Sequence, residues 1–394
     1  MKETAVVHYD DIALKGANRG LFEQILVRNI AHKIQRGKLP LFVEKRWGRI
    51  TITNNTGSLW VEEYGNILKE ILAHTPGIAV FGVGVMVDPD RKEIEKGVIK
   101  VVESFSEHFE TFRITTTRVD KTYPSTSQEI DRDLGALVLQ RFGDTKRVKL
   151  KNPGVTIRVE ILKKTAYVYI KEAGISGLPV GSSGRAVALL SGGFDSPVAA
   201  YMCATRGVEP LLMHFHAYPQ TSRAAIEKVE EIAGVLGTVC GQLTLVLVPL
   251  LDAQKEIVLT APEKLRVVLY RRLMMRVAEE WGRQHDAKAI ITGESVGQVA
   301  SQTLENIAAV ENAVATLPVL RPLSGMHKRE IINRACEIGT HDISLLPYDD
   351  TCTVFMPKRP ETKARIRDVL EAEKRYDSGK LVAHMLETLE VHKL

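Results

Sequence analysis

Residues Leu189 to Pro197 read Leu-Leu-Ser-Gly-Gly-Phe-Asp-Ser-Pro, and they bring together the residue types that bind phosphate. An apolar, strand-like run enters Ser191-Gly192-Gly193, and Pro197 falls in what should be the first turn of a helix, where its missing N–H costs nothing. The glycines admit a phosphate close to the backbone, the free N–H groups and the helix dipole attract negative charge, and Ser191 and Ser196 can donate to phosphate oxygens. Asp195 repels phosphate unless a cation lies between them, which assigns it to Mg²⁺. An ordinary capped turn explains Ser-Gly-Gly alone; the preceding strand, the Asp-Ser pair and the following helix favour the anion site. The Gly-Lys-Ser/Thr ending of a Walker A loop is absent.

Three other segments carry polar groups suited to a nucleotide. In Thr292 to Thr303, Gly293 and Gly297 let a loop lie flat, while Gln298 and Gln302 can hydrogen-bond adenine or ribose; a polar loop capping a helix at Thr303 is the alternative. Arg272 and Arg276 share one helical face with Arg271 beside them, a pattern that a solvated face also gives. His214-Phe215 ends an apolar strand, where Phe215 either stacks on adenine or belongs to the core. Cys352, between Pro347 and Pro357 and beside Asp349 and Asp350, reads as a loop thiol, whereas Cys203, Cys240 and Cys336 read as buried structural thiols. The neighbouring carboxylates raise its pKa, so activation must come from elsewhere, with Lys358 and Arg359 as candidates. Lys146, Arg147, Lys149 and Lys151 form a basic cluster suited to neutralising phosphates, or else a solvated basic turn.

The elements that must position these residues follow from periodicity. A small α+β unit spans Thr4 to Thr53: a strand at Ala5 to His8, a helix with Leu21, Phe22, Ile25, Leu26, Ile30 and Ile34 on one stripe, and alternation from Arg49 to Thr53. From about Trp60 to Ile170, helices at 61–72, 94–109 and 128–141 alternate with strands at 78–87, 111–117, 155–161 and 165–170. The four glycines and one proline between Gly174 and Gly184 make a linker. Beyond it, short apolar strands at 186–190, 209–215, 243–248 and 289–292 alternate with helices at 197–206, 222–236 and 263–281. That order predicts a doubly wound parallel sheet covered on both faces, with ligands beyond the carboxyl ends of the strands.

Composition narrows the class. The chain has 394 residues, 44% hydrophobic and 26% charged, and two or three domains are expected. Its four cysteines include no CxxC pair, which excludes a disulfide scaffold and the usual four-thiolate zinc site. No signal-peptide core or membrane-length apolar run is evident, so a soluble protein of the reducing cytoplasm, with no membrane partner, is expected. The net charge of +5 sits in the front half, the back half being slightly acidic, as for a chain that holds a polyanion with one part and does chemistry with another.

The Ser-Gly-Gly-x-Asp-Ser form resembles the PP-loop of the ATP pyrophosphatases, which cleave ATP between the α- and β-phosphates and pass the adenylyl group to an oxygen. Three further segments extend the resemblance to the tRNA 4-thiouridine synthetase (ThiI) family over nearly the whole chain. Tyr9 to Phe22, with Ile12-Ala-Leu-Lys-Gly-Ala-Asn-Arg19, looks like that family's ferredoxin-like signature, Gly77 to Gly82 looks like its THUMP domain, and Gly177-Leu-Pro-Val-Gly181 to Ser196 reads as the family writes it.

The resemblance implies a ferredoxin-like α+β domain over residues 1–58, a THUMP α+β domain that binds RNA over 59–173, a Gly-rich linker over 174–185 and a PP-loop α/β domain over 186–394. It implies an ATP site at Leu189, Leu190, Ser191, Gly192, Gly193, Asp195, Ser196, His214, Phe215, Arg271, Gly293 and Gln302. Lys146, Arg147, Lys149 and Lys151 become the RNA-binding cluster, and Asp195 and Cys352 the catalytic residues. The expected reaction is adenylation of O4 of uridine at position 8 of tRNA by ATP and Mg²⁺, followed by sulfur delivery from a Cys352 persulfide charged by a cysteine desulfurase. A homodimer and a role in thiamine thiazole synthesis are further implications. Many family members append a rhodanese domain with a second cysteine; this chain reads as the form without one, which leaves the resolution of the persulfide open. The rival enzyme is another PP-loop modifier acting on a different tRNA base.

Overall fold

The computed structural model describes residues 1–54, 60–105, 109–347 and 354–394, and the chain divides into two compact units, 1–179 and 180–394. Cys352, Asp349 and Asp350 lie outside the described residues.

The first unit is built on one mixed sheet. β1 (Lys2–His8), α1 (Arg19–Arg36), β2 (Phe42–Arg46), β3 (Arg49–Thr53), α2 (Val61–Ala73) and β4 (Val80–Val87) form a ferredoxin-like βαββαβ set with strand order β2-β3-β1-β4. α3 (Arg91–Ser104), β5 (Thr111–Arg118), α4 (Ser127–Phe142), β6 (Arg147–Val148), β7 (Val155–Ile161), β8 (Ala166–Ile170) and β9 (Glu172–Ala173) continue it. The sheet is unbroken, because β4 pairs antiparallel with both β1 and β8, and it runs on through β7 and β5 to β6. Its core gathers Leu26, Ile30 and Ile34 of α1, Val83 and Val85 of β4, and Ile130, Leu134 and Val138 of α4. Two glycines of β4 are obligatory: a Cβ at Gly82 or Gly84 would come within about 2 Å of Tyr169 or the Val168 carbonyl. The third helix ends at Ser104, short of the expected Phe109, because Phe105 already leaves helical geometry. Capping is local and strong: Asp90 accepts from the N–H groups of Lys92 and Glu93, and Thr126 with Glu129 closes a capping box on α4.

In the second unit β10 (Arg185–Leu189), β11 (Glu209–His216), β12 (Thr244–Pro249), β13 (Ala287–Ile291) and β14 (Val319–Leu320) are parallel, in the order β14-β13-β10-β11-β12. Among the described residues one strand of this sheet, β15 (Glu390–Lys393), is antiparallel; it covers the β12 edge, a position the alternation of strands and helices did not signal. The helices are α5 (Asp195–Ala204), α6 (Ala224–Cys240), α7 (Leu251–Thr260), α8 (Arg266–Gln284), α9 (Leu304–Glu311), α10 (Lys328–Ile338), α11 (His341–Leu345), α12 (Ile366–Glu373) and α13 (Ser378–Thr388). Two separate apolar clusters lie in this unit, one centred on α8 and one on α5 and α6, as a doubly wound sheet requires.

Two thiols differ from expectation. Cys336 is exposed, because the buried positions of α10 are Ile331 and Ala335, and Cys240 at the end of α6 is only partly buried. Cys203 is buried, and desolvation pushes its thiol up to about 11.

Candidate nucleotide and RNA sites

The loop after β10 folds as its residue types dictate. The Ser196 hydroxyl accepts from the Ser191 N–H (2.8 Å) and lies 3.1 Å from the Ser191 hydroxyl, which closes the turn around Gly192 and Gly193. α5 starts at Asp195 with no side-chain cap from Phe194, so its first N–H groups face outward at the carboxyl edge of the sheet. Gly293 touches this turn: a Cβ there would lie 2.7 Å from the Ser196 nitrogen and 2.8 Å from the Asp195 carbonyl carbon. Its part in the site is therefore to let the loop after β13 close over the first turn of α5.

Asp195 is held from two sides. Lys328, the first residue of α10, places its ammonium 2.8 and 3.1 Å from the two carboxylate oxygens, and Gln298 donates to one of them at 3.0 Å. The same ammonium lies 5.3 Å above the Phe194 ring, whose other neighbour is His341. Lys328 was missed in the sequence, where it reads as an ordinary N-terminal helix residue; its only local signal is a lysine in a first turn, where the dipole disfavours a cation. Among the described residues no cluster of three His, Cys, Asp or Glu side chains forms a metal cage. A single carboxylate suits Mg²⁺, which keeps waters and takes its other ligands from substrate phosphates.

Arg271 meets a buried carboxylate. Its guanidinium donates to Glu294 at 2.5 Å and to the Ser301 carbonyl at 3.2 Å, and Glu294 also accepts from Arg321 (2.7 Å) and Thr292 (3.0 Å). Burial pushes the Glu294 carboxyl up, but Arg271 and Arg321 outweigh it and hold the group below the usual carboxylate range. Arg272 and Arg276 do not join the nucleotide loop: both bind Glu373 of α12.

His214 is buried, with Nδ1 2.9 Å from the Leu190 carbonyl, so Nδ1 carries the proton there. Desolvation pushes its pKa down to about 4, and it contributes no positive charge to an ATP site at neutral pH. The Phe215 ring packs in the core with Met213, Val246 and Val248 rather than standing free for stacking. Gln302 is half-buried on the loop, its backbone closing a turn with Gly297. Leu189, Leu190, Ser191, Gly192, Gly193, Asp195 and Ser196 thus share one edge with Gly293 and Gln298.

In the first unit the basic cluster divides. Arg147, Lys149 and Lys151 are exposed on and after β6, whereas Lys146 is buried, its ammonium donating to the Phe109 carbonyl at 2.7 Å. Lys146 is removed from the phosphate-binding set for that reason. A groove of about 890 Å³ opens elsewhere on the same unit, lined by Lys2, Arg46, Lys121, Lys163 and Lys164 with Trp47 and Tyr167. Trp47, at the tip of the β2–β3 hairpin, is 83% exposed. The groove was hidden in the sequence because its cations are scattered along the chain and only the sheet assembles them.

Comparison with known proteins agrees with this geometry. Residues 181–377 match the family described as Thiamine biosynthesis protein (ThiI), residues 90–171 the THUMP domain, and residues 4–81 the ThiI ferredoxin-like domain. A probable tRNA sulfurtransferase of Caldanaerobacter subterraneus subsp. tengcongensis is 42% identical over 383 residues, covering 97% of both chains. One from Thermus thermophilus is 43% identical and covers 97% of this chain and 92% of its own. A crystal structure of a 4-thiouridine synthetase bound to RNA and ATP matches all of both chains, with a TM-score of 0.87 at 36% identity.

Proposed function

The chain belongs to the ThiI family and is an ATP-using tRNA sulfurtransferase, and on that premise we propose that it adenylates O4 of uridine at position 8 of tRNA and replaces that oxygen with sulfur carried by Cys352. The observation that carries the reading is the built anion site at the start of α5, with Asp195 and Lys328 side by side on it. A uridine carbonyl oxygen is a poor leaving group. Attack of O4 on the α-phosphorus of ATP expels pyrophosphate and turns that oxygen into part of AMP, a good one.

Asp195 would hold Mg²⁺, which supplies charge neutralisation of the phosphates when bound. Lys328, beside Asp195, would add its own positive charge toward the same phosphates. The N–H groups of α5 and the hydroxyls of Ser191 and Ser196 orient them, and Glu294 fixes Arg271 beside the loop. The terminal sulfur of a Cys352 persulfide then attacks C4 and AMP leaves, giving a Cys352–S–S–C4 bond. Two thiol equivalents reduce it and end as a disulfide, so that their two electrons leave the thiocarbonyl on the base and Cys352 as a free thiol. A cysteine desulfurase reloads Cys352.

The exposed Arg147, Lys149 and Lys151, with the groove around Trp47, supply phosphate and base-stacking contacts to tRNA in this reading. A homodimer in the cytoplasm, with a second output of sulfur to thiamine thiazole synthesis, belongs to the same proposal. No helix among the described residues is long and apolar enough to cross a membrane.

The test is nucleoside mass spectrometry of unmodified tRNA incubated with ATP, Mg²⁺, a desulfurase, cysteine and a thiol. Wild type is expected to yield 4-thiouridine at position 8, and Cys352→Ala to release pyrophosphate without thionucleoside. Sulfur on another base would favour a different PP-loop modifier, and absence of tRNA-dependent pyrophosphate release would overturn the adenylation reading.

A further inference from the structure

Both carboxylate oxygens of Asp195 are engaged by side chains from other elements. The Lys328 ammonium lies 2.8 Å from Oδ1 and 3.1 Å from Oδ2, and the Gln298 amide donates to Oδ2 at 3.0 Å. The ammonium thus straddles the carboxylate, and it also stands 5.3 Å over the ring of Phe194, the preceding residue. Solvent reaches both partners, with 42% of the Lys328 side chain and 21% of the Asp195 side chain exposed. A small cation can therefore approach this carboxylate, but a positive charge holds the place beside it.

Lys328 is set there by the backbone. Glu330 accepts from the His327 N–H at 2.8 Å and closes the start of α10, and Ile331 of the same turn is buried. The Ser295 hydroxyl donates to the Met326 carbonyl at 3.2 Å, tying the approach to α10 to the loop after β13 that also carries Gln298. The base of the lysine side chain is thereby fixed relative to Asp195, and its ammonium is confined to the neighbourhood of the carboxylate.

Ammonium and carboxylate cancel, so the pair offers an incoming cation little net attraction. Mg²⁺ binds a carboxylate oxygen at about 2.0–2.1 Å, which would bring it within about 5 Å of the ammonium. Across that distance a double and a single positive charge repel enough to weaken binding about tenfold even at the full dielectric of water. Added negative charge removes the penalty. The triphosphate of ATP brings that charge and has oxygens enough to partner both cations.

We propose that Lys328 makes metal binding at Asp195 conditional on nucleotide: its ammonium keeps a divalent cation off the carboxylate of the protein alone, and the cation is accepted only together with polyphosphate. The proposal rests on the assignment of the metal to Asp195. Linkage makes the effect reciprocal, so that metal and polyphosphate each raise the affinity for the other.

Mn²⁺ alone is the probe, its binding to the full chain followed by loss of the EPR signal of the hydrated ion, with no nucleotide present. Lys328→Met should bind it about tenfold or more tightly than wild type. Lys328→Gln serves in the same way if a thermal melt shows that Lys328→Met does not fold. Adding Asp195→Asn to either variant should abolish the gain. Equal affinity of wild type and the Lys328 variants overturns the proposal, and so does a gain that survives Asp195→Asn. A second titration tests the premise separately, using Mn²⁺ with α,β-methylene ATP. Asp195→Asn should weaken binding of that complex; if it does not, the metal assignment fails and this proposal with it. If Asp195→Asn weakens the complex while the Lys328 variants match wild type toward Mn²⁺ alone, the gating role alone is refuted.

Discussion

The ammonium of Lys328 lies 2.8 and 3.1 Å from the two carboxylate oxygens of Asp195, although 133 residues separate them in the chain. At that distance each sets the other's orientation, and the pair stands at the first turn of α5, the proposed phosphate site. Removing the positive charge with Lys328→Met should lower the rate of adenylation by about 10²- to 10³-fold, the usual effect of losing one preorganised group on a charged transition state. Single-turnover pyrophosphate release from saturating ATP and tRNA checks this. A loss confined to the KM for ATP would show ground-state binding instead.

Glu294 is buried between Arg271 and Arg321. Glu294→Gln should keep most of the hydrogen bonding while loosening Arg271, raising the KM for ATP by roughly tenfold with a smaller change in kcat. Glu294→Ala leaves two guanidinium groups without their carboxylate and should cost about 3–5 kcal/mol of stability, read from denaturant melts.

RNA affinity should separate the four clustered cations. Charge reversal at Arg147, Lys149 and Lys151 should weaken tRNA binding and lower the slope of log affinity against log salt by roughly one unit for each phosphate that is no longer neutralised. Lys146→Ala should leave that slope unchanged and lower the melting temperature, because its ammonium is buried against the Phe109 carbonyl. Trp47→Ala should weaken binding by about 1–3 kcal/mol if a base stacks there, with the salt slope retained. Binding isotherms at several salt concentrations decide among these.

Stability of the first unit should carry an acid signature. Glu160 is buried with His8 and Arg49 against it; burial pushes its pKa up, but these partners and the Tyr169 hydroxyl bring it down to about 2 from an ordinary 4.5. A carboxyl lowered on folding contributes stability that is fully present above its unfolded value and lost as pH falls through the folded one. Between pH 4.5 and 2 the wild type should therefore lose about 3 kcal/mol that Glu160→Gln does not lose. Denaturant melts over that range compare the two slopes.

Much of the site was legible because its requirements are local. Ser191 to Pro197 had to be a strand-to-helix turn, since glycine and an N-terminal proline act on their own backbone. The Phe215 ring was not legible: alternation along β11 shows that it faces away from its neighbours, but both faces of a covered parallel sheet are apolar, so nothing local distinguishes core from ligand. Lys146 failed for a related reason, since a basic cluster in sequence says nothing about which of its members turns inward.

By itself the sequence determined the strand-to-helix turn at Ser191–Pro197, the succession of strands and helices and hence the doubly wound class, because backbone preference and hydrophobic period operate over a few residues. Only the tertiary structure decided that Lys328 faces Asp195, that Gly293 packs on the first turn of α5, and that scattered lysines gather around Trp47. Those contacts join positions far apart in the chain, and what fixes them is the pairing order of the strands and the burial of charge, neither of which any short window of residues contains.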